Sequence, residues 1–336
     1  MHWLGKRLGR SVLTIYVVIT LSFVLVRMMP GGPVAYIKAQ LLSQESDISP
    51  QRARELAETY LNLRPDEPLW QQYVEYLSGI AVGDFGRSIW YNEPVVDILA
   101  QALPWTIFLM LNAVLFQFVI GITLGAALAY HEGNELDLLG TLGGMLANSI
   151  PYYVLAIFLS YVLAYNMGWF PIGEQYDAST TPGVNWPFIA GVLHHAALPL
   201  VSFIFTGFGG WAIAMRGNSI RVLGEDYLRV ARLRGLPGYV TAFRYIGRNA
   251  ILPMYTQFFI ALGFLFGGSI ILETIFQYPG VGWYLFNAVN ARDYPLMMGA
   301  FIVITTAVVI GVLIADLTYG KIDPRISVGG DDHEAY

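Results

Sequence analysis

The chain has 336 residues, of which 55% are hydrophobic and 13% charged, and it carries a net charge of -5 and no cysteine. This composition is too apolar for an ordinary soluble domain, so it predicts an integral membrane protein. The missing cysteine excludes disulfides, thiolate metal sites and cysteine nucleophiles. The acidic net charge gives no general attraction to nucleic acid.

The N-terminal stretch, residues 1–29, predicts a short cytoplasmic N-terminus followed by a first transmembrane helix. An apolar run extends from about Leu8 to Met29. It is longer than a signal-peptide core and lacks a small-residue cleavage site, so a retained span is expected. Two prolines and two glycines at 30–33 end it. Lys6, Arg7 and Arg10 precede it, which places the N-terminus in the cytoplasm.

Residues 30–100 form a segment of mixed composition that alternation of the spans places outside the membrane. Ser49 followed by Pro50 predicts the start of one short helix, and the spacing of Trp70, Tyr73 and Leu77 predicts a second. The glycine- and aromatic-rich loop GDFGRSIWYNEPV closes the segment. Two compatible interpretations stand: a folded cap packed on the spans, or a docking site for an external binding protein.

Five further apolar runs complete a prediction of six transmembrane helices in an all-α membrane protein. They cover residues 102–130, 138–165, 189–215, 251–272 and 296–315, within a core of residues 101–317. The tail, 318–336, carries Lys321 and Arg325 close to the last span. Six spans place both termini in the cytoplasm, and the basic residues agree with this. The link HEGNELD is a local departure, because it should be cytoplasmic but carries no lysine or arginine.

Common catalytic and nucleotide-binding patterns are missing from the sequence. GxxxxGK[ST], HExxH and GxSxG do not occur. His194 and His195 are adjacent, so on a helix they point about 100° apart and form a poor chelating pair. The sequence therefore predicts no catalytic residue, no metal and no cofactor in this chain, and any energy for its work must come from a partner.

Four amide side chains lie within the apolar runs: Asn112, Gln117, Asn148 and Gln257. They are expected either to hydrogen-bond between helices or to line a water-filled substrate pathway, and the sequence does not decide between the two. No charged residue lies in the middle of a run. That absence disfavours a proton- or ion-coupled carrier, which keeps an ionisable group near the midplane.

A polar island from Arg221 to Pro253 follows the fourth run, and residues 216–250 are predicted to form a cytoplasmic loop. In GEDYLRVARLRGLPG, Leu223, Tyr227, Val230 and Arg234 share one predicted helical face. Acidic residues open this helix and arginines close it, which suits the helix dipole. Glycines 235 and 238, with a proline between them, are expected to stop it. The helix is expected to lie in a groove on a partner protein, or to rest a basic face on anionic lipid. The island's arginines are Arg221, Arg229, Arg232, Arg234, Arg244 and Arg248.

The island resembles the cytoplasmic coupling loop of ABC importer permeases. EDYLRVARLRGL followed by RNAILP carries the resemblance, and the spacing from Gly235 to Pro253 is similar to that of the dipeptide, oligopeptide and nickel branch. Further matches occur in order along the chain: DEPLWQQYVEYLSGIAVGDFGRSI, LPWT, ETIFQYPGVGWYL, RDYP and IDPRI. The large segment after the first span resembles the first, B-type, of the two paired permeases.

This resemblance implies the type I ABC importer architecture in a prokaryotic cell membrane. The implied partners are a second homologous permease, two cytoplasmic ATPases and an external solute-binding protein. Peptides are the expected cargo, with oligosaccharides or nickel as alternatives. From other classes, a secondary carrier or channel, or an intramembrane enzyme, remains to be distinguished. The residues that the resemblance places in an ATPase groove are Glu225, Asp226, Tyr227, Ala231, Arg234, Gly235 and Leu236.

Overall fold

The computed structural model describes residues 2–28, 32–44, 48–61, 67–223, 225–237, 240, 245–263 and 269–322. Over these ranges the chain forms helices and no β-strand, apart from one isolated bridge between Arg87 and Pro94. The helices are α1 (His2–Arg27), α2 (Gly32–Gln44), α3 (Pro50–Leu61), α4 (Leu69–Ala81), α5 (Val95–Tyr130), α6 (Glu135–Ser149), α7 (Tyr152–Leu159, continued by a π-helix over Ser160–Asn166), α8 (Trp186–Leu223), α9 (Asp226–Leu233), α10 (Arg248–Gly263), α11 (Ser269–Ile275), α12 (Val281–Ala291) and α13 (Tyr294–Ile322).

Four described helices are long and apolar enough to cross a membrane: Gly5–Leu25, Val95–Tyr130, Trp186–Val222 and Tyr294–Ile314. Helices α6 and α7 make a fifth span if the bent pair is counted as one. The all-α, multi-span membrane fold is therefore confirmed. The predicted run over residues 251–272 falls on α10 and α11, and residues 264–268 lie outside the described ranges. The count of six spans stays a prediction.

The predicted continuous helix over residues 138–165 is wrong. The chain bends by 83° between α6 and the helical stretch Tyr152–Asn166. Pro151 explains the break, because proline has no N–H to continue the helix and disfavours helical backbone at the residue before it. Ile150 accordingly has extended backbone, with φ -85° and ψ 119°.

The chain divides into two compact units. The first comprises Met1–Thr106 and Pro279–Leu313, and the second comprises Ile107–Tyr278 and Ile314–Tyr336. Helices α5 and α13 each contribute residues to both units.

In the first unit, the segment after α1 folds into a small helical cap. Helices α3 and α4 are the two that the sequence predicts, and the Ser49 hydroxyl caps α3 by accepting the Arg52 N–H at 3.2 Å. Helix α2 was not predicted. A 2.6 Å hydrogen bond between Tyr73 and Thr20 joins α4 to α1. Helix α2 packs on α3 around a core of six buried side chains. The core residues are Ile37, Leu41, Ala53, Ala57, Tyr60 and Ile89.

In the second unit, glycines bring α5, α6 and α8 into close contact. A Cβ atom at Gly209 would collide with the backbone of Gly144, and one at Gly207 would collide with the Gln117 side chain. Small residues at such crossings let helix backbones approach, and van der Waals packing then holds them together in lipid. The crossing of α6 and α8 is therefore fixed at its middle by backbone-to-backbone contact.

Candidate functional site

The segment predicted to couple to an ATPase forms a short helix, α9, directly after α8. Asp226 lies in its first turn, where a carboxylate suits the helix dipole. The helix ends at Leu233, and the Arg234 N–H donates to the Val230 carbonyl at 3.0 Å. Gly235 then has φ +67°, a left-handed conformation that glycine adopts without strain. The predicted stop at Gly235 is therefore confirmed, whereas Gly238 lies outside the described residues.

Helix α9 buries Leu228, which is 1% exposed, and leaves its other described side chains in solvent. Val230 is half exposed and Leu233 is 81% exposed. Glu225, Asp226 and Arg234 are exposed, and Leu236 is half-buried.

The predicted helical face from Leu223 to Arg234 is wrong. Leu223 is the last residue of α8, Arg234 follows the end of α9, and Gly224 between the two helices lies outside the described residues. Because α8 does not run on unbroken into α9, the four-residue spacing from Leu223 no longer places these side chains on one face. Tyr227 and Ala231 belong to α9, but their side chains are outside the described part.

An ion pair that sequence reasoning missed lies on α8 ahead of this segment. The Arg216 guanidinium donates to both carboxylate oxygens of Asp137 in α6, at 2.5 Å from Nε and 2.7 Å from Nη2. The pair borders an open cleft of about 400 Å³. A usable signal was present in the sequence, because Asp137 directly precedes one predicted span and Arg216 directly follows another.

The four amide residues have different environments, all within the second unit. Gln117 is buried and donates from Nε2 to the Phe203 carbonyl at 2.6 Å, which is a contact between helices. Asn112 donates to Phe108 within its own helix at 2.7 Å. Asn148 and Gln257 are exposed. The Gln117 contact joins two helices, as expected of a packing role.

Four of the sequence stretches that carry the resemblance meet in the first unit. In the GDFGRSI stretch, the Ser88 hydroxyl donates to the Asp293 carboxylate at 2.5 Å, and the Trp90 N–H donates to the same oxygen at 3.0 Å. The Thr106 hydroxyl of LPWT accepts the N–H of Val281 at 2.9 Å. Both Ser88 and Asp293 are completely buried. We call Ser88, Thr106, Val281 and Asp293 the motif cluster.

Burial raises the pKa of Tyr91, beside the motif cluster, to about 12, and the neighbouring Tyr284 and Asp293 add to the increase. Tyr91 therefore stays neutral at physiological pH. Its backbone N–H donates to the Ser88 hydroxyl at 3.0 Å, so Ser88 both accepts and donates. Ser88 therefore links Tyr91 and Asp293 in one hydrogen-bond network.

The two adjacent histidines have separate structural partners. A ring nitrogen of His194 donates to the Trp169 carbonyl at 2.9 Å, and one of His195 donates to the Gly191 carbonyl at 2.8 Å. Within the part of the chain that the structure describes, no group of three His, Asp or Glu side chains is arranged to hold a metal ion.

Together, these helices define a multi-span helical membrane protein with a short, exposed helix, α9, that has a charged surface. Residues 121–328 match the family model described as the binding-protein-dependent transport system inner membrane component. The chain belongs to this family, whose members are permease subunits. The resemblance to ABC importer permeases of the dipeptide and oligopeptide branch is thereby confirmed.

Named relatives match over more than nine-tenths of the chain. The di/tripeptide transport system permease protein DppB of Pseudomonas aeruginosa is 30% identical, over 97% of this chain and 98% of its own length. The oligopeptide transport system permease protein AppB of Bacillus subtilis is 32% identical, over 91% and 93%. The dipeptide transport system permease protein DppB of Escherichia coli is 30% identical, over 97% and 98%.

Proposed function

We propose that this chain is the transmembrane permease subunit of an ATP-driven ABC importer for peptides in a prokaryotic plasma membrane. The observation that carries the proposal is the exposed helix α9 with its left-handed Gly235, which occupies the coupling-loop position of the family. Peptides are the proposed cargo because the relatives that match over most of their length are named for dipeptide, tripeptide or oligopeptide transport.

The proposed topology has six spans with both termini in the cytoplasm. Residues 1–29 form the cytoplasmic N-terminus and first span, 30–100 the extracytoplasmic segment, 101–317 the permease core with the coupling loop 216–250, and 318–336 the cytoplasmic tail. The cap formed by α2, α3 and α4 supports a B-type assignment, the first of two paired permeases, because it gives the segment after α1 a folded core of its own.

The proposed partners are a second homologous permease, two cytoplasmic ATPases and an external solute-binding protein. Glu225, Asp226, Tyr227, Ala231, Arg234, Gly235 and Leu236 form the proposed contact with one ATPase. Exposure of Leu233 beside these residues supports a protein partner, since a leucine gains more from an apolar groove than from a lipid headgroup surface. The acidic residues at the start of α9 also disfavour anionic lipid.

In the proposed mechanism, ATP-driven closure of the ATPases moves α9 and shifts the permease between inward- and outward-facing states. The permease itself performs no chemistry and holds no cofactor. Asn112, Asn148 and Gln257 are the proposed polar groups of the pathway, whereas the contact of Gln117 with Phe203 favours packing for that residue. The external binding protein would select the peptide before it reaches the pathway.

Affinity purification of the tagged chain from native membranes tests this proposal. We expect a second permease and an ATPase to co-purify in stoichiometric amounts, and ATP hydrolysis to be present in the eluate. A secondary carrier or channel would instead purify alone and transport without ATPases. A solitary chain that still transports its solute in liposomes would contradict the proposal.

A further inference from the structure

We propose that the Asp137–Arg216 ion pair locks the cytoplasmic ends of α6 and α8 into one rigid lever, which carries the movement of α9 to the membrane helices. The two are positioning residues, because they act by holding α6 to α8. This inference rests on the proposed function. It adds a specific pair of residues on which the coupling of ATP hydrolysis to transport depends.

The geometry of the pair is that of a strong, orienting contact. The planar guanidinium of Arg216 meets both oxygens of Asp137, at 2.5 Å and 2.7 Å, so the contact fixes angle as well as distance. Asp137 has only 6% of its side chain exposed and Arg216 has 26%. Partial burial of Asp137 reduces the solvent screening that makes surface ion pairs weak.

Asp137 also holds the turn that precedes α6. Its carboxylate accepts the Gly133 N–H at 3.0 Å and the Thr141 hydroxyl at 3.3 Å. The Asn134 side chain caps α6 by accepting the Asp137 N–H at 3.1 Å. One carboxylate therefore joins the turn, the first part of α6 and α8, so a movement of Arg216 is transmitted to the whole start of α6.

The second point of attachment lies further along the same pair of helices. Gly144 and Gly209 pack backbone to backbone, and a Cβ at Gly210 would lie 3.1 Å from the Asn148 amide oxygen. Two helices that touch at a single crossing can still pivot about it. A second contact at one end removes the pivot, so α6 and α8 must move together as one body.

The position of Arg216 connects this lever to the coupling segment. Arg216 lies roughly two helical turns before the end of α8. Helix α9 begins after Gly224, and the Leu228 N–H donates to the Glu225 carbonyl at 3.1 Å at its start. The Glu225 N–H donates to the Val222 carbonyl at 3.1 Å, which ties the start of α9 to the last turn of α8. A push on α9 therefore reaches Arg216 through the last two turns of α8, and the ion pair passes it on to α6.

A distance measurement on the intact complex tests the lever directly. The chain has no cysteine, so Leu139→Cys on α6 and Arg221→Cys on α8 introduce two defined spin-label sites at exposed positions, with the partner subunits made cysteine-free. We expect pulsed EPR to give the same narrow distance in nucleotide-free and ATP-bound complexes. If the distance between the two labels changes when ATP binds, while Asp137 and Arg216 are both intact, the proposal is overturned.

Removing the pair should uncouple the importer rather than dismantle it. The assay uses proteoliposomes with the binding protein and with trialanine as the probe. We expect Asp137→Asn to lower the amount of trialanine taken up per ATP hydrolysed by roughly tenfold, which corresponds to a loss of about 1.4 kcal/mol in coupling free energy. Co-purification of the ATPases should persist. Arg216→Lys keeps the charge without the planar fork, so an intermediate ratio is expected.

Glu135→Gln is the matched control, because Glu135 is an exposed carboxylate in the same turn of α6. Its uptake per ATP should equal that of the unmodified complex. A purely structural role for the ion pair predicts less assembled complex in Asp137→Asn but an unchanged ratio, and that result would overturn the proposal. Failure of the ATPases to co-purify with the unmodified chain would instead contradict the proposed function itself.

Discussion

Gly235→Asp is expected to abolish peptide uptake and to weaken ATPase binding by a factor of about 100 or more. The Cβ of residue 235 would meet no atom of this chain within 4 Å, so the substitution causes no clash inside the permease. Asp also tolerates the left-handed φ of +67° better than most residues. The loss therefore arises from an unpaired carboxylate buried against the ATPase. Co-purification and uptake assays measure it, and assembly of the two permeases should remain.

Gly235→Asn provides the matched control for this prediction. Asn has the shape of Asp and the same tolerance of left-handed backbone, but it carries no charge. We expect most of the uptake to remain in this variant. Undiminished uptake in Gly235→Asp would contradict the docking role of the segment, and an equal loss in both variants would contradict the electrostatic explanation.

Asp293→Ala is expected to have the largest effect on stability, of about 3–5 kcal/mol. The fully buried Asp293 carboxylate accepts from the Ser88 hydroxyl, the Trp90 N–H and, at 3.2 Å, the Leu296 N–H. Alanine leaves these three donors, of which the Ser88 hydroxyl and the Leu296 N–H are buried, without their acceptor. The loss should appear as a lower level of folded permease in membranes and a lower thermal unfolding midpoint in detergent.

Asp97→Ala is a suitable control, because Asp97 is an exposed carboxylate in the first turn of α5. Its removal should cost less than about 1 kcal/mol, the size of a helix-dipole contribution. Ser88→Ala should fall between the two, since it removes one donor and leaves the carboxylate with its two backbone N–H groups. A midpoint for Asp293→Ala equal to that of Asp97→Ala would contradict the structural role of the motif cluster.

The sequence predicted the fold class and two of the three helices of the segment after α1, because those depend on local signals. Apolar runs long enough to cross a membrane are visible without any tertiary information. The Ser49–Pro50 start of α3 is equally local, and the structure shows the expected cap. The bend at Pro151 was missed because a proline inside an apolar run is compatible with either a kinked span or a broken one.

Contacts between distant parts of the chain could not be predicted in the same way. Ser88 and Asp293 stand in two stretches that were each recognised alone, yet nothing in their spacing indicates that they bond. Asp137 and Arg216 pair across two helices whose crossing is set by Gly144 and Gly209. The periodicity of the sequence predicted a face that includes Tyr227 and Val230, whereas among the described side chains of α9 the buried one is Leu228. Tertiary packing decides which face of an eight-residue helix is covered.

The coupling segment itself was predicted more securely than the pathway. Its acidic start and glycine stop are short-range features, and α9 and Gly235 have the geometry they predict. The amide residues depend instead on helix orientation, which the sequence does not contain. Only Gln117 among them has a described contact that distinguishes packing from pathway.

Uptake of trialanine into proteoliposomes tests the central claim most directly. The vesicles contain this permease, its second permease and the ATPases, with the binding protein added outside and nucleotide trapped inside. We expect accumulation with ATP, and none with ADP or when the ATPases are omitted. Equal uptake with and without the ATPases would contradict the account, because α9 would then have no partner to drive it.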